Sequence, residues 1–219
     1  MRRSLTPWPA VADLFSGLLV ATFGGLMLFT GSGPGPGPDP VDQRSAEIRT
    51  KVHALLKETL GGESREQGDE VFLDVALNFN LNRDTILRKD REKIARACSA
   101  LHALFDNDKE LRNQVEIWIE GHTDRTQPGH APNRRERYLF NWRLSGNRAA
   151  SVLHEFHACG LEPGRYRILA IGHADTRPKP GTTPDSPQHR RTTFRIRPDR
   201  CRIEIALNKR DASETCVAF

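Results

Sequence analysis

The chain has 219 residues, room for one ordinary domain with appendages. Its 33 Lys and Arg against 28 Asp and Glu give a net charge of +5 scattered along the chain. No basic block interleaved with aromatics occurs, which argues against nucleic acid as a partner. The absence of a nucleophile–base pair or a phosphate loop argues against an enzyme, and no cofactor is expected.

Residues 10–30, AVADLFSGLLVATFGGLMLFT, read as a transmembrane helix, because 21 residues rise about 30 Å, the thickness of a hydrocarbon core. Arg2 and Arg3 precede it, and the GSGPGPGPDP that follows has no basic residue. The positive-inside rule therefore makes residues 1–9 a cytoplasmic tail and places the rest of the chain in the periplasm. A cleaved signal peptide is the competing reading, disfavoured by the carboxylate of Asp13 in the apolar run and by the lack of an A-x-A-like site. Asp13 itself has two readings. It is a helix-end carboxylate snorkelling to the headgroups, or an intramembrane carboxylate marking an ion path.

Residues 31–68 come next. The alternating Gly and Pro make an extended, semi-stiff spacer. VDQRSAEIRTKVHALLKETLGG then spaces Ile48, Val52, Leu55, Leu56 and Leu60 as one stripe of an amphipathic helix, which Gly61 and Gly62 end. The stripe either pairs with a second copy or packs on its own domain.

From residue 69 strand and helix patterns alternate. EVFLDVALNF puts Val71, Leu73, Val75, Leu77 and Phe79 on one face of a strand. RKDREKIARACSALHALF is helical, with Ile94, Ala97, Cys98, Leu101, Leu104 and Phe105 inward. VEIWIEGH is a strand, and LSGNRAASVLHEFHACG is a helix closed by Gly160. RYRILAIG and CRIEIAL add two more strands. The order βαβαββ implies an α/β (α+β) domain, a mixed sheet with helices on one face, over residues 69–209, with a tail at 210–219. The cysteines at 98, 159, 201 and 216 form no C-x-x-C pair. Bridges Cys98–Cys159 and Cys201–Cys216 stay open, as does a buried Cys201 facing inward with Ile203 and Ile205. His154 and His157 stand three apart on a helix with no obvious carboxylate or cysteine partner, so they read as a solvated face and no metal site is expected.

Two resemblances rest on these residues. PWPAVADLFSGLLVATFGGLMLF, with Trp8, Ala12, Asp13 and Leu14, resembles the transmembrane helix of the MotB family of stator proteins. That implies a proton-carrying Asp13, with Ser16 and Thr22 as candidates to line its path. IEGHTDRTQPG, NWRLSGNRAASVL, RYRILAIGHADTRP and RCRIEIAL together resemble the OmpA-like peptidoglycan-binding domain. This second resemblance implies that Asp124 and Arg148 hold the ammonium and carboxylate of the diaminopimelate in the stem peptide. Thr123, Asn141 and Leu144 then shape the pocket, and Arg202 matches an arginine of the final N-R-R-V-E-I motif. A bidentate Arg suits the carboxylate, and Ser145 as N-cap would place Arg148 in the first helical turn, where an anion docks well. A structural salt bridge between Asp124 and Arg148 is the alternative. Asp124 and Asn141 are farther apart than is usual in the family, and the extra PGHAPNRRERYLF is basic.

The whole plan resembles a stator B-subunit, a proton-conducting homodimer with a multi-span MotA- or ZorA-like partner in five copies. The short tail and compact spacer are similar to ZorB of the Zorya anti-phage systems. A flagellar MotB-like stator and a non-conducting envelope tether are the alternatives.

Overall fold

The computed structural model describes residues 37–77, 79, 83–125, 133–162, 164–183, 186–211 and 216. The expected membrane helix, the 1–9 tail and Asp13 lie outside the described residues. Among the described residues no helix is long and apolar enough to cross a membrane.

The elements are α1 (Pro40–Leu60), β1 (Glu63–Gln67), β2 (Glu70–Val75), α2 (Arg88–Asn107), α3 (Lys109–Gln114), β3 (Val115–Gly121), α4 (Arg134–Ala158), β4 (Ile168–Gly172), β5 (Thr192–Pro198) and α5 (Arg200–Ala206). The five strands form one sheet in the order β1-β2-β5-β3-β4. Only β3 and β4 run parallel, joined through α4. The rest pair antiparallel, so the sheet is mixed, as the βαβαββ pattern implies.

The inner face of the sheet follows from alternation. Val71, Leu73 and Val75 of β2, Ile117 and Ile119 of β3, and Phe194 and Ile196 of β5 are buried with Ile94, Leu101 and Phe105 of α2 and Val152 and Phe156 of α4. The stripe on α1 joins this core. Val41, Ser45, Ile48, Val52, Leu56 and Leu60 are buried, and the helix packs on α2, β2 and β5. Of the two readings of that stripe, packing on its own domain is the one realised. The helix belongs to a compact unit that begins at Pro40.

The opposite face carries an arginine lattice. Arg195 lies over the rings of Phe72 and Trp118, at 5.4 and 4.9 Å, and pairs with Glu70. Arg197 bridges Glu70 and Glu116 at 3.0 and 3.4 Å, and Arg167 pairs with Glu116 and Asp199. These are cross-strand neighbours, since β5 registers Arg195 opposite both Phe72 and Trp118.

Two expectations are corrected. CRIEIAL is not the last strand but the helix α5, because the Asp199 side chain caps it by accepting from the Arg202 N–H at 3.2 Å. The last strand is β5, whose TTFRIRP alternates as cleanly and lies between β2 and β3. Cys201 accordingly does not face inward with Ile203 and Ile205 on a strand. It is half-buried on α5 and joined to Cys216. The short β1, ESREQ, has no apolar residue and exists through its pairing with β2 across a turn at Gly68, where φ is 58°. A second disulfide, Cys98–Cys159, joins α2 to the end of α4. There Gly160 takes a φ of 103° just past the helix, the stop expected of it.

Removing the side chain of Ile48 should lower stability by about 2–4 kcal/mol in urea denaturation, the usual cost of a large-to-small change in a closed core. A helix outside the domain would leave the midpoint unmoved.

Candidate functional site

The site is organised by where α4 begins. Ser145 is the expected cap, but the cap lies twelve residues earlier, at Asn133, whose side chain accepts from the Glu136 N–H at 2.9 Å. Of the residues between Asp124 and Asn141, those from Arg134 onward therefore supply helix. Ser145 sits in the interior, donating to Trp142 O at 3.0 Å and accepting from the Ala174 N–H at 2.9 Å. Arg148 is in the helix body, so the carboxylate site assumed at a helix start does not exist.

Two glycines let α4 reach the sheet. A Cβ on Gly121 would stand 2.1 Å from Ser145 O, and one on Gly172 2.6 Å from Gly146 N. The helix backbone rests directly on the ends of the parallel pair β3 and β4.

That contact brings four of the expected residues together. Asn141 donates from Nδ2 to Asp124 O at 3.2 Å. Thr123 donates its N–H to Ala174 O at 2.9 Å, while its buried Oγ1 has no hydrogen-bond partner among the described residues. The Asp124 carboxylate faces Arg190, with Nε 3.4 Å from Oδ2. Arg148 is only 4% exposed. Its Nε donates to Arg83 O at 3.2 Å and its guanidinium lies 5.0 Å over the Phe79 ring. Burial, then the charge of Arg190, pull its pKa below the usual arginine value, while Asp124 and Asp84 act the other way. An arginine keeps its proton, so this environment is one that an added anion would relieve.

Arg148 opens on a cavity of about 890 Å³ whose walls include Lys93, Lys179, Arg190 and Arg191 against Glu63 and Asp74. Leu144 is half-buried on the same helix. Arg202 is not brought to this cavity. It lies on α5, 3.3 Å from Asp199, and borders a separate hollow with Glu110 and Cys216. The basic pair that does reach the site is Arg190 and Arg191, missed from sequence. HRRTTFRI, an arginine pair ahead of an alternating strand, fits the N-R-R-V-E-I pattern better than DRCRIEI does.

Behind the site lies a buried polar cluster. His122 bonds Thr193 Oγ1 at 3.1 Å and stacks on His173, with ring centroids 5.4 Å apart. Burial, then the charges of Arg191 and His173, push its pKa down to about 2. Burial would raise the Glu120 carboxyl, but hydrogen bonding to His173 and the charges of His173, Arg177 and Arg195 outweigh it and hold the group below its ordinary value.

Residues 78–192 match the OmpA family. The chain belongs to the OmpA family. Over 172 residues it is 27% identical to the uncharacterized protein YtxE of Bacillus subtilis (strain 168), covering 78% of this chain and 61% of that protein. The OmpA-family chain thus spans less than two thirds of that relative. Among solved structures, a putative MotB-like protein from Desulfovibrio vulgaris superposes with a TM-score of 0.52 at 21% identity, over 72% of this chain and 93% of that one. The periplasmic domain of Helicobacter pylori MotB (residues 97–256) gives 0.49 at 20%, over 68% and 98%.

Unfolded, His122 takes a proton near pH 6.5, and folded only near pH 2, so the unfolded state carries more protons throughout that window. Stability should therefore fall as pH drops below about 6.5, with Glu120 adding to the loss only below its ordinary 4.5. Urea midpoints between about pH 6.5 and 5 should show this slope, flattened in His122→Gln. An equal slope in both proteins would contradict the assignment.

Proposed function

We propose that this chain is the peptidoglycan-anchored, proton-conducting subunit of an inner-membrane ion-driven motor, of the kind ZorB forms in Zorya anti-phage defence. The observation that carries the wall-binding half is the desolvated Arg148 guanidinium, opening beside Asp124 onto a cation-rich cavity in an OmpA-family domain. The distal end of diaminopimelate is a zwitterion. Its carboxylate would take Arg148 as a bidentate donor. Its ammonium would take Asp124, which must then turn from Arg190. Two disulfides support an oxidising compartment such as the periplasm.

The motor half rests on Asp13 within residues 10–30 and on the resemblance of that segment to the MotB helix. Carboxylates in such segments tend to mark ion paths. The partner is then a multi-span MotA- or ZorA-like subunit, five copies around a homodimer, and wall anchoring converts ion flow to torque. The compact unit starting at Pro40 leaves only a short spacer after residue 30, which favours ZorB. A flagellar MotB-like stator is the second reading, supported by the fold shared with the Desulfovibrio protein.

Arg148→Ala should lower retention of the full-length protein on purified sacculi about tenfold or more, the cost of removing one side of a buried charge pair. Undiminished retention would refute the wall site. In cells, phage plating with the gene and its chromosomal neighbours should show protection that Asp13→Asn removes. Protection that survives the substitution leaves a tether, and loss of swimming with no protection in either strain selects the flagellar motor.

A further inference from the structure

The helix that the extra residues build reaches beyond the diaminopimelate site and carries two rings. Tyr138 is 63% exposed, the most exposed large apolar side chain among the described residues. Trp142, one turn on, is half-buried beside it, with ring centroids 6.2 Å apart and planes at 53°. The arm is built, since Asn133 caps its first turn and Arg143 pairs with Glu136 at 3.4 Å along its flank.

We infer that Tyr138 and Trp142 form a second subsite for the amino-sugar glycan strand of the same wall polymer. This rests on the wall-binding reading above and extends it from the peptide to the sugar.

Three observations carry it. The first is continuity. Tyr138, Asn141, Ser145 and Arg148 are spaced three, four and three apart, which places them on one stripe of α4. Asn141, in the middle, already holds the backbone of Asp124 at 3.2 Å.

The second is length. Ten residues of helix separate Tyr138 from Arg148, about 15 Å along the axis. A diaminopimelate at the third position of a stem peptide stands about 10 Å or more from the sugar that bears it. With the diaminopimelate on Arg148, the sugar reaches the rings.

The third is the chemistry of the surface. A pyranose offers an apolar C–H face that lies flat on an aromatic ring, and a rim of hydroxyls that bond charged and amide groups. The rings here are fringed by the exposed Arg135 and Arg143 and the partly exposed Glu136. A second copy would need a broad apolar area, which this charged fringe interrupts. A sugar needs only the ring.

The test uses the detergent-solubilised full-length protein and three probes: intact sacculi, glycan strands stripped of peptide by an amidase, and a free diaminopimelate-containing stem tripeptide. Tyr138→Ala should weaken binding of stripped glycan and retention on sacculi about threefold to tenfold, the scale of one aromatic contact. Tripeptide binding should stay unchanged, and Tyr138→Phe should restore the glycan binding because the ring, not the hydroxyl, makes the contact. Arg148→Ala should do the reverse, losing the tripeptide and keeping the stripped glycan. Loss of the stripped glycan as well in Arg148→Ala would mean that one site takes both ligands and would overturn a separate glycan subsite, whereas tripeptide binding that survives Arg148→Ala refutes only the peptide site. Glycan binding equal in wild type and Tyr138→Ala overturns the inference. So does a Tyr138→Ala protein that changes oligomeric state by light scattering, since the rings would then serve contact between copies.

Discussion

The close approach of α4 to the sheet sets the rest of the molecule. With Ser145 O where a Cβ of Gly121 would stand, and Gly146 N where one of Gly172 would stand, the helix can occupy one height and one rotation only. That register puts Asn141 on the backbone of Asp124, buries Arg148 at the mouth of the basic cavity, and lets Ser145 satisfy the Ala174 N–H. Any side chain at either glycine would lift the helix and separate the acid from the arginine. The geometry of the candidate site is thus decided by backbone contact, which is stiffer than contact between long side chains.

A second constraint is the central position of β5. It is the last strand among the described residues, yet it pairs with β2 on one side and β3 on the other. The sheet stays in two parts until residues 192–198 arrive. The same strand brings Arg190 and Arg191 to the cavity from its leading end and lays Arg195 and Arg197 across the open face. Core, site and outer lattice are therefore completed by one late segment, and most of the cost of ordering it is met by long-range pairings.

The sequence showed most clearly what has a clean period. β2, α2, β3 and β4 were legible because their apolar residues recur at two or at 3.6, with little competing signal. CRIEIAL was misread because a seven-residue run fits both periods, and the Asp199 cap that decides for helix belongs to the residue before it. The start of α4 was hidden for the opposite reason. Ser145 is a plausible cap, while the working one, Asn133, precedes a dense run of charges that resembles a loop. That Arg148, Asp124, Thr123 and Asn141 lie near one another was legible through motif spacing. Arg190 and Arg191 were not, since the final motif was matched eleven residues too late, with Arg202 in the place that Arg191 fills. The all-polar β1 could not be seen without its partner, and Asp13 belongs to a segment outside the described residues.

The covalent ties are distributed unevenly, and that matters under load. The disulfide from Cys98 to Cys159 locks α2 to α4, the helix that carries Asn141 and Arg148. Helix α1, Pro40–Leu60, has no cysteine and is held by its buried stripe and a few ion pairs such as Asp42 to Arg200. On the proposed reading, tension from the membrane enters at this helix and leaves at the wall through α4. The helix peels before the grip fails, and its 21 residues release about 40 Å of extra chain as they unwind from helical to extended rise. On that reading the molecule would carry its own shock absorber in series with a part stiffened by a disulfide.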